Sequence, residues 1–480
     1  MDEAKRYFFC GIGGSGMAPL AMIVRARGGE VAGSDRARDQ GRSSDKFAEF
    51  EAQGIALFPQ DGSGLISADQ ILVASAAVES TVADVAKAEA LGCARITRAT
   101  LNADLFNAAT TRIGIGGTSG KSTVTGMIGW ILQSTRVGLP TGKGNKEAVG
   151  SNPTVMNGAV MRNFASSALV GGGDSYVSEV DESDGSIAQY DATVAVVTNI
   201  SLDHKSLAEL HALFGDFVAK ADHAIINADD AESAPLLGLK GKGKPNITSF
   251  GFAESADVRA TAFAPRADGS SFTLTVDGES HAVALRMAGR HNVANALAAI
   301  AATRAVGMLV ADAVAALGDF AGLARRYEVV GTAHGVTVID DFAHNPDKVA
   351  ATLPAAAATP GRLLIFFQPH GYGPLRQMGA ELAAAFAAGM RTTAYGADKL
   401  FVCDPVYYGG NVIRDDGAKA LVFGVISGGG YAVHMARRES CGEAIVTESR
   451  PGDRIIILGA RDDTLTDFAH EVLAALASAG

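Results

Sequence analysis

The stretch Gly114-Ile115-Gly116-Gly117-Thr118-Ser119-Gly120-Lys121-Ser122-Thr123 decides how this chain is read. It follows the short apolar start Thr111-Arg112-Ile113 and runs into Val124-Thr125-Gly126-Met127-Ile128-Gly129-Trp130-Ile131-Leu132, a pattern that predicts a helix. A glycine-rich turn between a strand and a helix presents backbone N–H groups to an anion, and the helix N-terminus adds positive partial charge. The strict P-loop spacing needs glycine where Ile115 stands, so the match is the shorter Gly117-x-x-Gly120-Lys121-Ser122-Thr123. In such a loop Lys121 reaches the β- and γ-phosphates and the Ser122 hydroxyl ligates Mg²⁺. An ordinary turn with a solvated lysine is the alternative, and the flanking strand and helix argue against it. A bound nucleoside triphosphate is the expectation.

Working outward, apolar strand-like runs alternate with helical patterns almost throughout, the signature of parallel α/β sheets. The first block reads as a strand over Tyr7–Ile12, a helix over Met17–Arg27, a strand over Glu30–Ser34, a helix over Ser44–Gln53 and a strand over Gln70–Ala74. A boundary falls near Phe106–Thr110. The second block carries strand candidates Tyr176–Val180, Ala192–Thr198 and His223–Asn227. Alternating, antiparallel-looking segments follow over Ser271–Val276 and His281–Met287, then a helix from His291 to Val306. The third block alternates again through Val336–Ile339, Arg362–Phe367, Phe401–Cys403 and Arg454–Leu458.

Composition bounds the function. The chain has 480 residues, 48% of them hydrophobic and 19% charged, which suits a folded protein of about three domains. A net charge of −11 argues against broad nucleic-acid affinity. Cys10, Cys93, Cys403 and Cys441 lack metal-ligand spacing, and the apolar run Ala380–Ala388 is too short to span a bilayer. Met1–Arg6 leads directly into a strand-like segment with no signal-peptide core, so a soluble cytoplasmic protein is expected.

Further motifs carry chemistry. Gly11-Ile12-Gly13-Gly14-Ser15-Gly16 is a strict G-x-G-x-x-G between strand and helix, with Asp35 nineteen residues after Gly16. That pattern sets a diphosphate at the helix N-terminus and an acid near a ribose or another polar group. Two diphosphate sites in one chain suggest ATP at one and a nucleotide-linked substrate at the other; NAD at the first is the rival. Glu179-Val180-Asp181-Glu182-Ser183-Asp184 follows a strand end, where carboxylates beside a P-loop can hold Mg²⁺ or merely cap a helix. Asp203 and His204 follow another buried strand. Asn292 and Asn295 stand three apart at a helix start, as caps or as readers of a base. Arg325-Arg326-Tyr327-Glu328 and Asp340-Asp341-Phe342-Ala343-His344-Asn345-Pro346 open the third block. Pro346 suits the first turn of a helix, which would leave His344 and Asn345 exposed at the sheet edge.

These motifs, in this order, resemble the Mur ligase superfamily, the ATP-dependent amide-forming enzymes of peptidoglycan synthesis, over nearly the whole chain. The Gly11–Gly16 fingerprint, the Glu179–Asp184 run and Phe367-Gln368-Pro369-His370 look like the branch that takes UDP-N-acetylmuramate. The resemblance implies an α/β protein of three domains: a Rossmann-like UDP-sugar domain over 1–107, a central P-loop ATPase-type domain with extra antiparallel strands over 108–322, and a C-terminal Rossmann-like domain over 323–480. It implies that Lys121, Glu179 and His204 are catalytic and that Ser122, Glu179 and His204 are metal-linked. ATP would lie on Gly117, Thr118, Ser119, Gly120, Lys121, Ser122, Thr123, Asn292, Asn295, Arg326, Asp341 and His344. The UDP-linked substrate would lie on Gly11, Gly13, Gly14, Ser15, Gly16, Asp35 and His370. The implied activity joins the carboxylate of a UDP-N-acetylmuramate-type donor to an amino acid, L-alanine first, or to a peptide, through an acyl phosphate. ATP and Mg²⁺ are the implied cofactors, and the implied assembly is a monomer or homodimer without nucleic-acid or membrane partners. A non-catalytic UDP-sugar-binding paralogue is the other reading. The chain departs from the alanine-adding pattern at Ser119, Ser122, Lys205, Ser206, Phe342, Ala343, Asn345 and Gly371.

Overall fold

The computed structural model describes residues 5–42, 44–75, 78–134, 136–140, 146–150, 152–201, 205–239, 245–266, 269–406, 414, 416–462 and 464–479. The chain packs as two compact units, residues 1–262, 272–284 and 293–323 in one and residues 263–271, 285–292 and 324–480 in the other.

The first unit opens with β1 (Arg6–Cys10), α1 (Met17–Ala26), β2 (Glu30–Ser34), α2 (Arg36–Asp39), α3 (Ser44–Ala52), β3 (Ala56–Phe58), β4 (Gln70–Ala74), α4 (Ala83–Leu91), β5 (Ala94–Thr97) and α5 (Arg98–Asn107). Its sheet has the order β3-β2-β1-β4-β5, parallel throughout. The chain reverses its winding direction at β1, so the Gly11–Gly16 turn that leaves β1 lies at the topological switch point, where ligands of doubly wound sheets bind.

The same unit continues with β6 (Thr111–Gly116), α6 (Lys121–Ser134), a separate pair β7 (Arg136–Pro140) and β8 (Lys146–Gly150), then β9 (Thr154–Met161), β10 (Ser166–Leu169), β11 (Ser175–Glu179), β12 (Val194–Val197), α7 (Leu207–Lys220), β13 (His223–Asn227) and β14 (Asn246–Gly251). β15 (Val258–Arg266), β16 (Gly269–Val276) and β17 (Glu279–Leu285) extend the sheet, and α8 (Arg290–Ala305) and α9 (Val310–Gly318) come after them. The order is β10-β9-β11-β6-β12-β13-β14-β15-β16-β17. The antiparallel-looking pair is a hairpin: Asp277 and Gly278 both have positive φ, 51° and 82°, as a two-residue hairpin turn requires.

β6 lies between β11 and β12, parallel to both, and all four of Ile113 to Gly116 are buried. The loop after β6 is therefore flanked by the segments that leave β11 and β12. Trp130, in α6, donates its indole N–H to the Ala316 carbonyl at 2.8 Å and packs against Phe164 with ring centroids 5.7 Å apart. α5 is fixed to β11 by a buried amide. Asn102 Nδ2 donates to Ser178 Oγ and to Tyr190 Oη, each at 2.9 Å, and Tyr176 Oη donates back to Asn102 Oδ1 at 2.9 Å. Phe106, one turn on, meets both tyrosine rings edge-on.

The second unit holds β18 (Glu328–Ala333), β19 (Val336–Asp341), α10 (Pro346–Ala357), β20 (Leu363–Gln368), α11 (Tyr372–Gly389), the short pair β21 (Thr392–Thr393) and β22 (Gly396–Ala397), β23 (Lys399–Val402), α12 (Gly417–Ser427), β24 (Tyr431–His434), α13 (Arg438–Glu448), β25 (Arg454–Gly459) and α14 (Thr464–Ser478). The sheet order is β18-β19-β25-β20-β23-β24, parallel except for the β18–β19 hairpin. β20 and β25 are buried at every position, as strands covered on both faces must be. Among the described residues no helix is long and apolar enough to cross a membrane.

Candidate active site

Two glycine turns lie in the first unit, and the second of them carries a lysine, Lys121. α6 begins at Lys121 itself, so its first N–H groups have no intrahelical partner and belong to the loop. Gly117 has φ +127°, and a Cβ there would lie 2.0 Å from Thr198 Oγ1; Gly120 has φ +88°, and a Cβ there would lie 2.6 Å from Asn295 Oδ1. Only glycine fits these two points.

The loop is held open from the neighbouring strand. Beyond β12, the Asn199 carbonyl accepts from Thr118 N at 3.1 Å and Asn199 Oδ1 accepts from Ser119 N at 2.9 Å. Thr198 Oγ1 donates to the Ser119 carbonyl at 2.6 Å. Asn157, from β9, donates to the Ser122 carbonyl at 2.9 Å. Thr198 and Asn199 open the stretch that runs on to Asp203 and His204, whereas Asn157 does not stand out in the sequence; the β9-β11-β6-β12 order is what brings all three to the loop.

Lys121 Nζ donates to Glu182 Oε2 at 2.8 Å and to the Gly117 carbonyl at 2.6 Å. The two side chains are only 18% and 7% exposed. Burial works against the ammonium, but the carboxylates of Glu182, Asp181 and Glu179 outweigh it and raise its pKa above the ordinary lysine value. Burial raises the Glu182 carboxyl, with Lys121 pulling the other way. Glu182 is thus the ammonium's direct partner. In the sequence it is one carboxylate of the acidic run, with nothing to separate it from its neighbours.

Glu179, half-buried at the end of β11, accepts from Gly158 N through Oε1 at 2.5 Å. Asp181 Oδ1 accepts from Ser183 N and Oγ at 3.0 and 2.7 Å. Ser122 is 8% exposed. A hydroxyl and carboxylates are the hard oxygen donors that Mg²⁺ takes, usually in ones and twos beside substrate phosphates. Ser122, Glu179 and Asp181 supply donors of that kind, while among the described residues no three His, Cys, Asp or Glu side chains cluster to hold a metal by themselves. His204, with Asp203, lies outside the described residues.

The first turn is built differently. Gly11 N and Ile12 N both donate to the Ser34 carbonyl, Gly14 N to Gly11 O, and Met17 N and Ala18 N to Gly14 O. Gly13 N donates to Asp35 Oδ2 at 2.8 Å, while Asp35 Oδ1 accepts from Ala37 N at 2.8 Å and caps α2. Asp35 is therefore tied into its own turn. Of this turn's N–H groups, those of Ser15 and Gly16 have no backbone partner among the described residues.

In the second unit, Arg325 and Tyr327 both take positive φ, 56° and 53°, a costly conformation for side-chain-bearing residues. It is held in place: Arg325 N donates to Glu328 Oε2, Phe342 N to Arg325 O, and Tyr327 N to Asp341 Oδ2 at 2.6 Å. Asp341 Oδ1 accepts from Ala343 N and Thr352 Oγ1, so Asp341 braces the segment that presents Arg326. The Arg326 guanidinium lies 4.7 Å from the centroid of the Phe342 ring.

Asn345 caps α10 by accepting from Lys348 N at 3.0 Å, with Pro346 in the first turn. His344 is not the exposed side chain expected from sequence. It packs edge-on against Phe342 and His370, the latter at 4.8 Å, with Nδ1 2.8 Å from the Phe342 carbonyl. Burial, then the charge of Lys348, lowers its pKa to about 2, so the ring is neutral and Nδ1 carries the proton toward that carbonyl. Asn292 Nδ2 donates to the Ala288 carbonyl at 2.7 Å.

Comparison with known proteins gives this arrangement a lineage. Residues 6–110 match the Mur ligase family catalytic domain, 115–303 the Mur ligase middle domain, and 325–461 the Mur ligase glutamate ligase domain. A UDP-N-acetylmuramate–L-alanine ligase of Jannaschia sp. (strain CCS1) is 32% identical over 480 residues, covering 98% of this chain and 94% of that protein. One from Cereibacter sphaeroides (strain ATCC 17029 / ATH 2.4.9) is 33% identical over 482 residues, covering 98% and 96%. Among solved structures, the UDP-N-acetylmuramate-alanine ligase of Thermotoga maritima superposes with a TM-score of 0.79 at 22% identity, covering 99% of this chain and 100% of that one. A murein peptide ligase of Psychrobacter arcticus 273-4 gives a TM-score of 0.69 at 23% identity, covering 99% of each chain. With three Mur ligase domains matched in order and relatives above 30% identity over nearly its full length, the chain belongs to the Mur ligase family.

Proposed function

We propose that this protein is an ATP-dependent ligase that joins the lactyl carboxylate of UDP-N-acetylmuramate to the amino group of L-alanine in peptidoglycan synthesis. The observation that carries the chemistry is Lys121, a buried ammonium at the start of α6, facing the acidic run after β11. The donor and acceptor follow the full-length relatives, whose names specify both.

The donor carboxylate attacks the γ-phosphorus of ATP, giving an acyl phosphate and ADP. The amine then attacks the acyl carbon, and the tetrahedral intermediate loses a proton and inorganic phosphate to leave the amide. Lys121 exchanges Glu182 for phosphoryl oxygens and offsets the charge that develops on them. The N–H groups at the start of α6 add to that field. By resemblance Ser122, Glu179 and His204 would hold Mg²⁺, which would supply charge neutralisation between two anionic reactants. By resemblance, residues 1–107 hold the donor and residues 108–322 hold ATP.

The test is phosphate release from the intact protein with ATP, Mg²⁺ and UDP-N-acetylmuramate, comparing L-alanine with glycine, L-serine and the tripeptide of a muropeptide. Release that depends on L-alanine supports the reading. Turnover with the tripeptide alone would move the protein to the peptide-adding branch, and no turnover with any acceptor would leave it a UDP-sugar-binding paralogue.

A further inference from the structure

The first glycine turn has a shortage that its sequence does not show. Its N–H groups at Gly11, Ile12, Gly13, Gly14, Met17 and Ala18 are bonded within the turn or to Ser34 and Asp35, and Pro19 has none. α1 has no side-chain cap, and its one basic residue, Arg25, stands in its last turn. A diphosphate there would find two backbone donors and a helix dipole, without a cation from the turn itself.

The cation comes from another element. Arg98 is the first residue of α5, and its guanidinium lies so close to Gly16 that a Cβ on Gly16 would sit 2.9 Å from both its Cδ and its Nη1. Its Nη2 lies 3.6 Å from Asp181 Oδ2, in the acidic run that faces Lys121. The side chain is 23% exposed, which leaves it open to a ligand. Its position is set by the Asn102 clamp four residues on, on the same helix face, which fixes α5 to β11. Arg98 is thus anchored to the strand that ends in Glu179 while it covers the N-terminus of α1.

We propose that Arg98 binds the diphosphate of the nucleoside-diphosphate-linked donor, closing over Ser15 and Gly16, with Asp181 orienting the guanidinium. This rests on the donor assignment made above. A planar fork of N–H donors suits two phosphate oxygens at once. The arrangement also gives Gly16 a specific reason to lack a side chain: any Cβ would push Arg98 off the site.

The experiment measures UDP, UMP and ATP binding by calorimetry, and steady-state kinetics, for the parent protein, Arg98→Ala and Arg98→Lys. Arg98→Ala should weaken UDP binding by roughly ten- to a hundred-fold, the scale of lost charge-assisted hydrogen bonds. UMP should weaken by much less, so the preference for the second phosphate collapses. KM for the UDP-linked donor should rise while KM for ATP stays within about twofold, and Arg98→Lys, keeping the charge without the fork, should fall between. ATP binding in the same samples reports that each variant is folded. Unchanged UDP affinity in Arg98→Ala, or parallel losses of UDP, UMP and ATP, would overturn the assignment. A parent protein that binds no UDP-linked donor would instead overturn the donor reading itself, before any variant is compared.

Discussion

The two glycine turns of the first unit look alike as sequence and are built on opposite plans. Gly117–Lys121 carries its own cation and is propped open by groups from other strands: Thr198, Asn199 and Asn157 take up its carbonyls and selected N–H groups. Gly11–Gly16 is propped by itself, with most of its N–H groups turned inward and its aspartate bonded to Gly13. A loop that must stabilise charge as it moves between atoms spends its first N–H groups on bracing, leaves those at the helix start for the ligand, and sets its ammonium among carboxylates. A turn that only needs to hold a ligand can be rigid and take its cation from a neighbouring helix.

Lys121→Ala tests this contrast most severely. Turnover should fall by about 10²- to 10³-fold, the scale seen when a preorganised electrostatic contact is removed, with UDP binding unchanged. Near-normal turnover would erase the distinction between the two turns. Gly13→Val comes next. A Cβ at Gly13 would lie 2.9 Å from Asp35 Oδ2 and 3.1 Å from Phe47 Cζ, so the side chain breaks the Asp35 brace. UDP binding should be lost by calorimetry while ATP binding survives, and loss of both in a folded protein would mean the turns share one site.

Glu182→Gln gives the smallest effect and the sharpest. It leaves the Lys121 ammonium buried with a weaker partner, which should lower the stability of the nucleotide-free protein by about 1–3 kcal/mol. Because a triphosphate replaces that partner, ATP should raise the melting temperature of the variant by more than it raises the parent's. Equal increments would mean that Glu182 and the triphosphate do not compete for Lys121.

Much of this is legible in the sequence because buried parallel strands announce themselves as apolar runs. Glu30–Ser34, Gln70–Ala74 and His223–Asn227 have the same bounds in the sequence pattern and in the structure. The glycine turns are legible for a related reason, since positive φ and close approach leave few other residues possible. The groups that tune the turns are not. Asn157 reaches the loop only through sheet order, and the stretches holding Thr198 and Glu182 are legible while the particular atoms they bind, the Ser119 carbonyl and the Lys121 ammonium, are not. α5 escapes the sequence pattern altogether: its buried Ala99, Leu101, Ala103 and Phe106 make a weak apolar stripe, and with it goes Arg98. His344 reads as exposed because Phe342 and His370 cover it from the flanks, the latter from the loop after β20, two strands over.

The chain contains a single tryptophan, and it sits on the helix that begins at Lys121. Trp130 is nine residues beyond Lys121, about 14 Å along α6, with its indole N–H bonded to Ala316 and its ring against Phe164. Its emission is therefore a built-in optical gauge of one helix, free of contributions from any other indole. Any shift of α6 as nucleotide seats at its N-terminus changes the polarity around that ring. A stopped-flow trace of the unlabelled protein would time the seating of ATP separately from the arrival of the sugar nucleotide.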